Sequence, residues 1–412
     1  MGLKKKYKDL QFYKFCAYGF LKNLRFFEPF FILFLLEKGL TFTQIGFLYS
    51  IREITKYLFE IPTGIIADAL GRKKTMLWSF VAYIFSFLTF YFASHFAALA
   101  VAMIFFAFGD AFRTGTHKAM IFEYLKIKSW EDRRVDYYGG TRSCSQLGSA
   151  LSSLIAAVIV FYGNSYQTVF LVSTLPYILN ILLLLSYPDN LNGKITGKGI
   201  PGIRKRIKQI LADLAENLKD KRKLKILFNV SSLSGYYKQT KDYLQYIIQT
   251  LAATAIFLPA MNEKQRTALL TGIVFFILYL LTGRASKSAG NVRRLFSSSE
   301  KALNVLLFAG VSAGLLGGIF LHFSLYLPSI LFITAIYLIE NFRNPAGVDY
   351  IAQNFKQENL ATTLSTNSLI KTVYSAFLAV IFGWLSDMFD VGTAFSLVSA
   401  FMLIIALFIK LK

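Results

Sequence analysis

Histidine, cysteine and carboxylate are all scarce in this chain, and each shortage removes a class of function. Its 412 residues include 3 His, 2 Cys and 23 Asp or Glu, against 45 Lys or Arg. Cys16 and Cys144 both fall in apolar helical stretches, so neither a disulfide framework nor zinc-ligand spacing can be drawn. No G-x-x-x-x-G-K-[ST] loop is present, which removes the usual phosphate cradle of an ATP-driven pump. Neither a metal-ligand cluster nor a nucleophile–base pair is visible, so no metal, no cofactor and no enzymatic activity are expected. The string "GVSAG" at 310–314 fits G-x-S-x-G, but it lies in an apolar run with no strand before it. Gly310, Gly314 and Gly318 recur every four residues there, a pattern for close helix packing.

Charge is also short. Only 17% of residues are charged, against about 25% in a soluble domain, while 55% are hydrophobic and the mean hydropathy is +0.49. Apolar runs long enough to cross a bilayer, about 20 residues each, recur throughout. Twelve membrane segments are expected near 12–36, 42–67, 74–93, 97–124, 136–162, 166–187, 225–257, 267–283, 302–322, 326–350, 359–386 and 391–410. The leading "MGLKKKYKDL" is basic, but no small-residue cleavage site follows, so the first segment is expected to remain.

Cations sort by side. The loops on one side carry only Lys38, Lys264 and Arg266, whereas the other side's loops are rich in Lys and Arg. This asymmetry predicts an inner-membrane protein with both termini cytoplasmic. It also accounts for the net charge of +22, most of which would face anionic lipid. Nucleic-acid binding would need a soluble basic face with stacking aromatics, and no segment offers one. The long linker 188–224 separates an N-terminal bundle, 1–187, from a C-terminal one, 225–412. Ile203, Ile207, Ile210, Leu211, Leu214 and Leu218 are spaced for an amphipathic helix on the membrane surface, serving as a tether.

The two halves echo each other. "LKNLRFFEPFFI" in span 1 aligns with "YKQTKDYLQYII" in span 7, matching Lys22 with Lys238 and Arg25 with Lys241. "GDAFRTG" in span 4 aligns with "IENFRNP" in span 10, matching Asp110 with Glu340 and Arg113 with Arg343. Parallel six-helix repeats enclosing a mid-membrane site are a transporter plan.

"GIIADALGRKK", 64–74, resembles the cytoplasmic loop signature of the major facilitator superfamily and sits between spans 2 and 3 as that family requires. Gly64, Asp68, Gly71, Arg72 and Lys73 match; Ala69 departs, since that position is usually basic. The resemblance implies an all-α membrane fold of twelve transmembrane helices in two pseudo-symmetric six-helix bundles. It also implies a cytoplasmic gate at Gly64, Asp68, Gly71 and Arg72 that latches the halves together. Two other family patterns are degraded. Arg113 is followed by Gly115 rather than by a glycine three residues on, and "GGTRSCSQLGSALSSL" in span 5 lacks proline. Both departures argue against the drug/proton antiporter branch.

Among the charged residues within the expected spans, nineteen stand out as intramembrane charges, eleven basic and eight acidic. Each costs about 2.5–3.5 kcal/mol at a helix centre facing lipid, so they must pair or line water. The basic surplus favours an anionic or zwitterionic substrate. Lys22, Arg25, Arg113, Lys238, Lys241 and Arg343 are the expected substrate-binding residues, and Glu28, Asp110, Asp242 and Glu340 the expected proton carriers. His117 is a weaker carrier candidate; His95 and His322 fall in outer loops. The sequence thus predicts a monomeric secondary transporter in membrane lipid, moving a small organic anion or zwitterion by alternating access, with proton coupling and export. A multidrug/proton antiporter is the rival transporter reading; a membrane enzyme and a channel or sensor are rivals from other classes.

Overall fold

Helix breaks, rather than helices, mark where this fold does its work. The computed structural model describes residues 8–192, 208, 212, 220–254, 259–355 and 360–412. The amphipathic linker helix expected over 203–218 lies outside those residues, apart from Lys208 and Ala212. Fifteen α-helices are assigned among the described residues, and no strand. They combine into twelve spans. Span 1 is Leu10–Lys22 (α1) with Phe31–Glu37 (α2), span 2 is Phe42–Leu70 (α3) and span 3 is Arg72–Phe92 (α4). Span 4 is Phe96–Arg113 (α5) with Thr116–Ile127 (α6), span 5 is Arg134–Gly163 (α7) and span 6 is Thr168–Leu185 (α8). Span 7 is Lys221–Thr240 (α9) with Leu244–Thr254 (α10), span 8 is Glu263–Arg294 (α11) and span 9 is Ser299–His322 (α12). Spans 10, 11 and 12 are Tyr326–Asn354 (α13), Leu360–Met388 (α14) and Val391–Phe408 (α15).

Eight of these spans are long and apolar enough to cross a membrane on those criteria alone. The four that fall short are spans 1, 2, 7 and 10, each broken or charge-bearing; span 4 is also broken but meets the criteria on its apolar first half. A chain stores polar backbone and charge at membrane depth only where protein or water surrounds it. The shortfall therefore points to the inside of the molecule.

Packing repeats with a period of six spans. Spans 3 and 4 pack together, as do 9 and 10; span 1 lies on 5 as 7 lies on 11; span 3 lies on 6 as 9 lies on 12. The two bundles meet along span 2 against 11 and span 5 against 8, a symmetric pair of seams. Small residues permit the close approach. A Cβ on Gly46 would strike the Ala379 carbonyl, and one on Gly383 would strike the Phe42 carbonyl. On the other seam Gly272 faces Ala157. The packing glycines of span 9 behave as expected: Gly310 lies against Leu233 and Gly314 against Tyr236.

The two ends of the described chain, residues 8 and 412, lie on one face, here the terminal face. The glycine contacts along the two seams lie towards the opposite, far face. There the Asp387 carboxylate of span 11 accepts from the Phe42 and Thr43 amides, at 2.8 and 2.7 Å, capping the start of span 2 across the seam. Lys264 pairs with Glu37, and Phe42 stacks on Tyr243 at 5.7 Å. The far face is closed in this conformation.

Candidate functional site: a charge network between the bundles

Span 1 breaks at residues 23–30, around Pro29, and span 7 breaks at the 3-10 turn Lys241–Tyr243. The breaks face each other. Gln245 clamps them: its Oε1 accepts from the Ile32 amide and its Nε2 donates to the Glu28 carbonyl, both at 2.9 Å. One buried amide side chain thus satisfies backbone that the helix break had orphaned.

A cavity of about 160 Å³ lies beside this clamp. Arg25, Glu28, Arg52, Glu53, Lys56, Asp110, Lys238, Lys241 and Asp242 supply its charges, with Phe27, Phe31, Phe90 and Phe106 as apolar wall. Asp110 is the hub on one side. It pairs with Arg25 at 3.2 Å, Arg113 at 3.1 Å and Lys56 at 3.9 Å, and it accepts from the Tyr83 hydroxyl. Tyr83 in turn accepts from Arg113 at 3.0 Å, and Arg25 donates to Tyr177 at 3.2 Å. Three cations thus share one carboxylate.

Glu53, 5% exposed, bridges the bundles: it takes Lys238 at 2.6 Å and its neighbour Arg52 at 3.3 Å. Lys241 makes a second bridge, to Asp242 at 2.7 Å within its own bundle and to Glu28 at 3.9 Å across it. Five cations and four carboxylates surround the cavity. Buried ion pairs seldom add net stability, because desolvation offsets the Coulomb gain. A network that crosses the seam between the two bundles is better suited to a switch.

The expected site residues divide. Arg25, Glu28, Asp110, Lys238, Lys241 and Asp242 come together at this cavity. Lys22 and Arg113 line an adjoining pocket in the N-terminal bundle. Glu340, 4% exposed, is set deeper in the C-terminal bundle, where Oε1 accepts from the Ser234 hydroxyl and Oε2 has no hydrogen-bond partner. Arg343 was expected at the substrate, but it lines neither cavity. It is 1% exposed, and its guanidinium is consumed by the carbonyls of Leu303, Val230 and Asn229 and by the Asn229 side chain, at 2.6–3.1 Å. Such a fork ties spans 7, 9 and 10 together and leaves little for a ligand. His117 is stacked on Tyr18 with centroids 3.6 Å apart, a packing role.

The gate loop also differs from expectation. Gly71 has φ +94° and lets span 2 turn directly into span 3. Arg72 reaches Glu123 and the Ala119 carbonyl of span 4, and Lys73 binds Asp189 and the Tyr187 carbonyl. These partners lie in the N-terminal bundle or, for Asp189, at the start of the linker that follows it, and none lies in the C-terminal bundle, so in this conformation Arg72 and Lys73 brace one half instead of latching two. Gly64 is exposed with no atom near its Cβ direction, and the Asp68 side chain lies outside what is described.

Sequence reasoning passed over Glu53, Asp387 and the tyrosines Tyr83 and Tyr177 as site residues. Glu53 sits among the span 2 charges, and its burial was the missing information. Tyr83 and Tyr177 carried no signal among 23 tyrosines.

Two six-helix bundles closing on a charged cavity define a membrane carrier. The family model described as Major Facilitator Superfamily matches residues 15–343, and the chain belongs to that family. It is 26% identical over 398 residues to the uncharacterized MFS-type transporter YxaM of Bacillus subtilis (strain 168), covering 95% of this chain and 93% of that one. Among solved structures, a variant of the nucleoside transporter NupG superposes with a TM-score of 0.80 at 12% identity, covering 97% of this chain and 98% of that one. A POT family transporter superposes with a TM-score of 0.73 at 14% identity, covering 97% and 95%. At those identities the structural likeness establishes the fold alone; the family match makes the chain a multi-pass secondary transporter of the MFS type.

Proposed function

We propose that this carrier moves a small organic anion or zwitterion by alternating access, coupled to protons and in the export direction, with both termini in the cytoplasm. The observation that supports it is the cation excess at the bundle interface, where carboxylates hold lysines from opposite bundles. An anionic substrate competes with Glu53 and Glu28 for Lys238 and Lys241. Its binding exchanges one set of ion pairs for another, which gives the differential affinity that a population shift requires. Asp110 keeps Arg25 and Arg113 in place meanwhile.

Glu340 is the proton carrier in this reading. Its carboxyl is buried and only half satisfied, so protonation removes a costly buried charge. Glu28, Asp110 and Asp242 each hold a cation within 4 Å and are poorer candidates, whereas Glu340 makes no ion pair that close among the described residues, with Lys371, Arg343 and Lys238 the cations around it. The gate at Gly64, Asp68, Gly71 and Arg72 engages the other bundle only once the terminal face closes. A lipophilic cation would find more positive than negative charge here, which disfavours the multidrug reading.

Proteoliposome counterflow is the test. Preloaded organic anion or zwitterion should drive saturable uptake of the same labelled compound. Glu340→Gln should retain counterflow and lose pH-gradient-driven accumulation. Flux of lipophilic cations alone would refute the substrate class, and non-saturable flux would indicate a channel.

A further inference from the structure

A second cavity lies beside the central one. It encloses about 410 Å³ within the N-terminal bundle, between spans 1, 4 and 5. Lys22, Arg113, Lys118 and Arg142 line it, and no carboxylate does. Arg113 is held from behind by Asp110. Lys22, Lys118 and Arg142 form no ion pair among the described residues, and Lys118 and Arg142 are exposed. Asn23, Thr141, Ser145, Gln146 and Ser149 add polar atoms, while Phe15, Tyr18 and Tyr138 form an aromatic wall.

The break in span 4 points at the same space. Helix α5 ends at Arg113, Gly115 takes φ +81°, and α6 restarts at Thr116 with no side-chain cap. The first amides of α6 therefore lack intrahelical acceptors, and the positive end of its dipole meets the pocket at Thr114, Gly115, His117 and Lys118. Uncapped amides and four cations from three spans converge on one roomy space.

The geometry points to a binding site here for an organic anion carrying at least two negative charges, its charged head at the start of α6 and its body on the aromatic wall. A monoanion would leave most of this positive charge uncompensated, whereas 410 Å³ holds a head and a small carbon skeleton together. The inference rests on the carrier reading and narrows its substrate from anion or zwitterion to multiply charged anion. The pocket reaches the central network through Arg113 and Asp110, so a dianion here competes with Asp110 for Arg113 and loosens the hub.

Thermal-shift titration of the detergent-purified full chain tests it, with succinate, inorganic pyrophosphate and acetate as probes. Succinate or pyrophosphate should raise the melting temperature at concentrations where acetate does not. Arg142→Gln and Lys118→Gln change exposed side chains, so both should fold with the unliganded melting temperature unchanged. Each should weaken the dianion response at least tenfold. The inference is overturned if neither dianion outperforms acetate, or if both variants respond as the parent does. A response lost in Lys241→Ala but kept in Arg142→Gln places the anion in the central cavity: the carrier reading stands and this site falls. A response abolished by adding phosphatidylglycerol to the micelle assigns the pocket to a lipid headgroup, which also overturns it.

Discussion

Spans 4 and 10 match in sequence, and the fold uses them differently. Each carries an acid and an arginine three residues apart, Asp110 with Arg113 and Glu340 with Arg343. In span 4 the pair is a salt bridge of 3.1 Å beside a helix break, wired to Arg25, Lys56 and Tyr83. In span 10 the helix runs on through Pro345, the arginine turns to backbone carbonyls and the acid is left with a serine. The sequence spacing is the same, but the neighbours are not. Gly115 can take a positive φ and end a helix, whereas Pro345 fixes φ near −65° and stays compatible with one. A charge pair placed at a break meets water; a charge pair kept inside a continuous helix is buried by its neighbours.

The sharpest way to break this comparison is to remove each arginine. Arg343→Met leaves several buried carbonyls and the Asn229 amide without their donor. At about 1–3 kcal/mol for each group left unsatisfied, most of the protein should be lost as aggregate, measured by size-exclusion chromatography of the detergent extract. Arg343→Lys should rescue poorly, because an ammonium cannot reproduce the planar fork. Arg113→Met should instead yield folded protein with defective counterflow. Equal folding of the two variants would void the distinction.

Next in size is the hub. Asp110→Asn takes the paired carboxylate from Arg25 and Arg113, while Lys56 keeps Glu60. Counterflow should fall about 100-fold, equivalent to about 2.7 kcal/mol, while the folded yield stays near normal because all three cations are partly exposed. A variant that transports normally would show the network to be incidental.

The fold was legible because its signals are collective. Twelve apolar runs, a cation bias by side and two aligned charge motifs agree without any single residue deciding the matter. The site was legible only in part. Lys22, Arg25, Lys238 and Lys241 could be placed because a charge inside a span must face protein or water. Arg343 obeys the same rule by another route, since carbonyls at membrane depth neutralise a guanidinium as well as a cavity does, and nothing in "IENFRNP" distinguishes the two. Asp387 was illegible because its partners are backbone amides 345 and 344 residues away. A cap supplied from the opposite bundle leaves no local pattern.

That cap gives the smallest predicted effect. Asp387→Ala removes an N-cap of about 1 kcal/mol that exists only while the far face is closed. The equilibrium should shift about fivefold towards the far-open form. A cysteine at position 42, in a background lacking Cys16 and Cys144, should then react about fivefold faster with an impermeant maleimide. An unchanged rate would mean that the cap is not a gate element.

The account as a whole depends on the bundles opening one face as they close the other. Spin labels at positions 94 and 324 report on the far face, and labels at 132 and 353 on the terminal face; all four positions are exposed. Pulsed electron-electron resonance in nanodiscs, with and without a ligand that stabilises the protein, should show the two distances changing in opposite senses. Distances that stay fixed, or that lengthen together, would contradict alternating access in this protein.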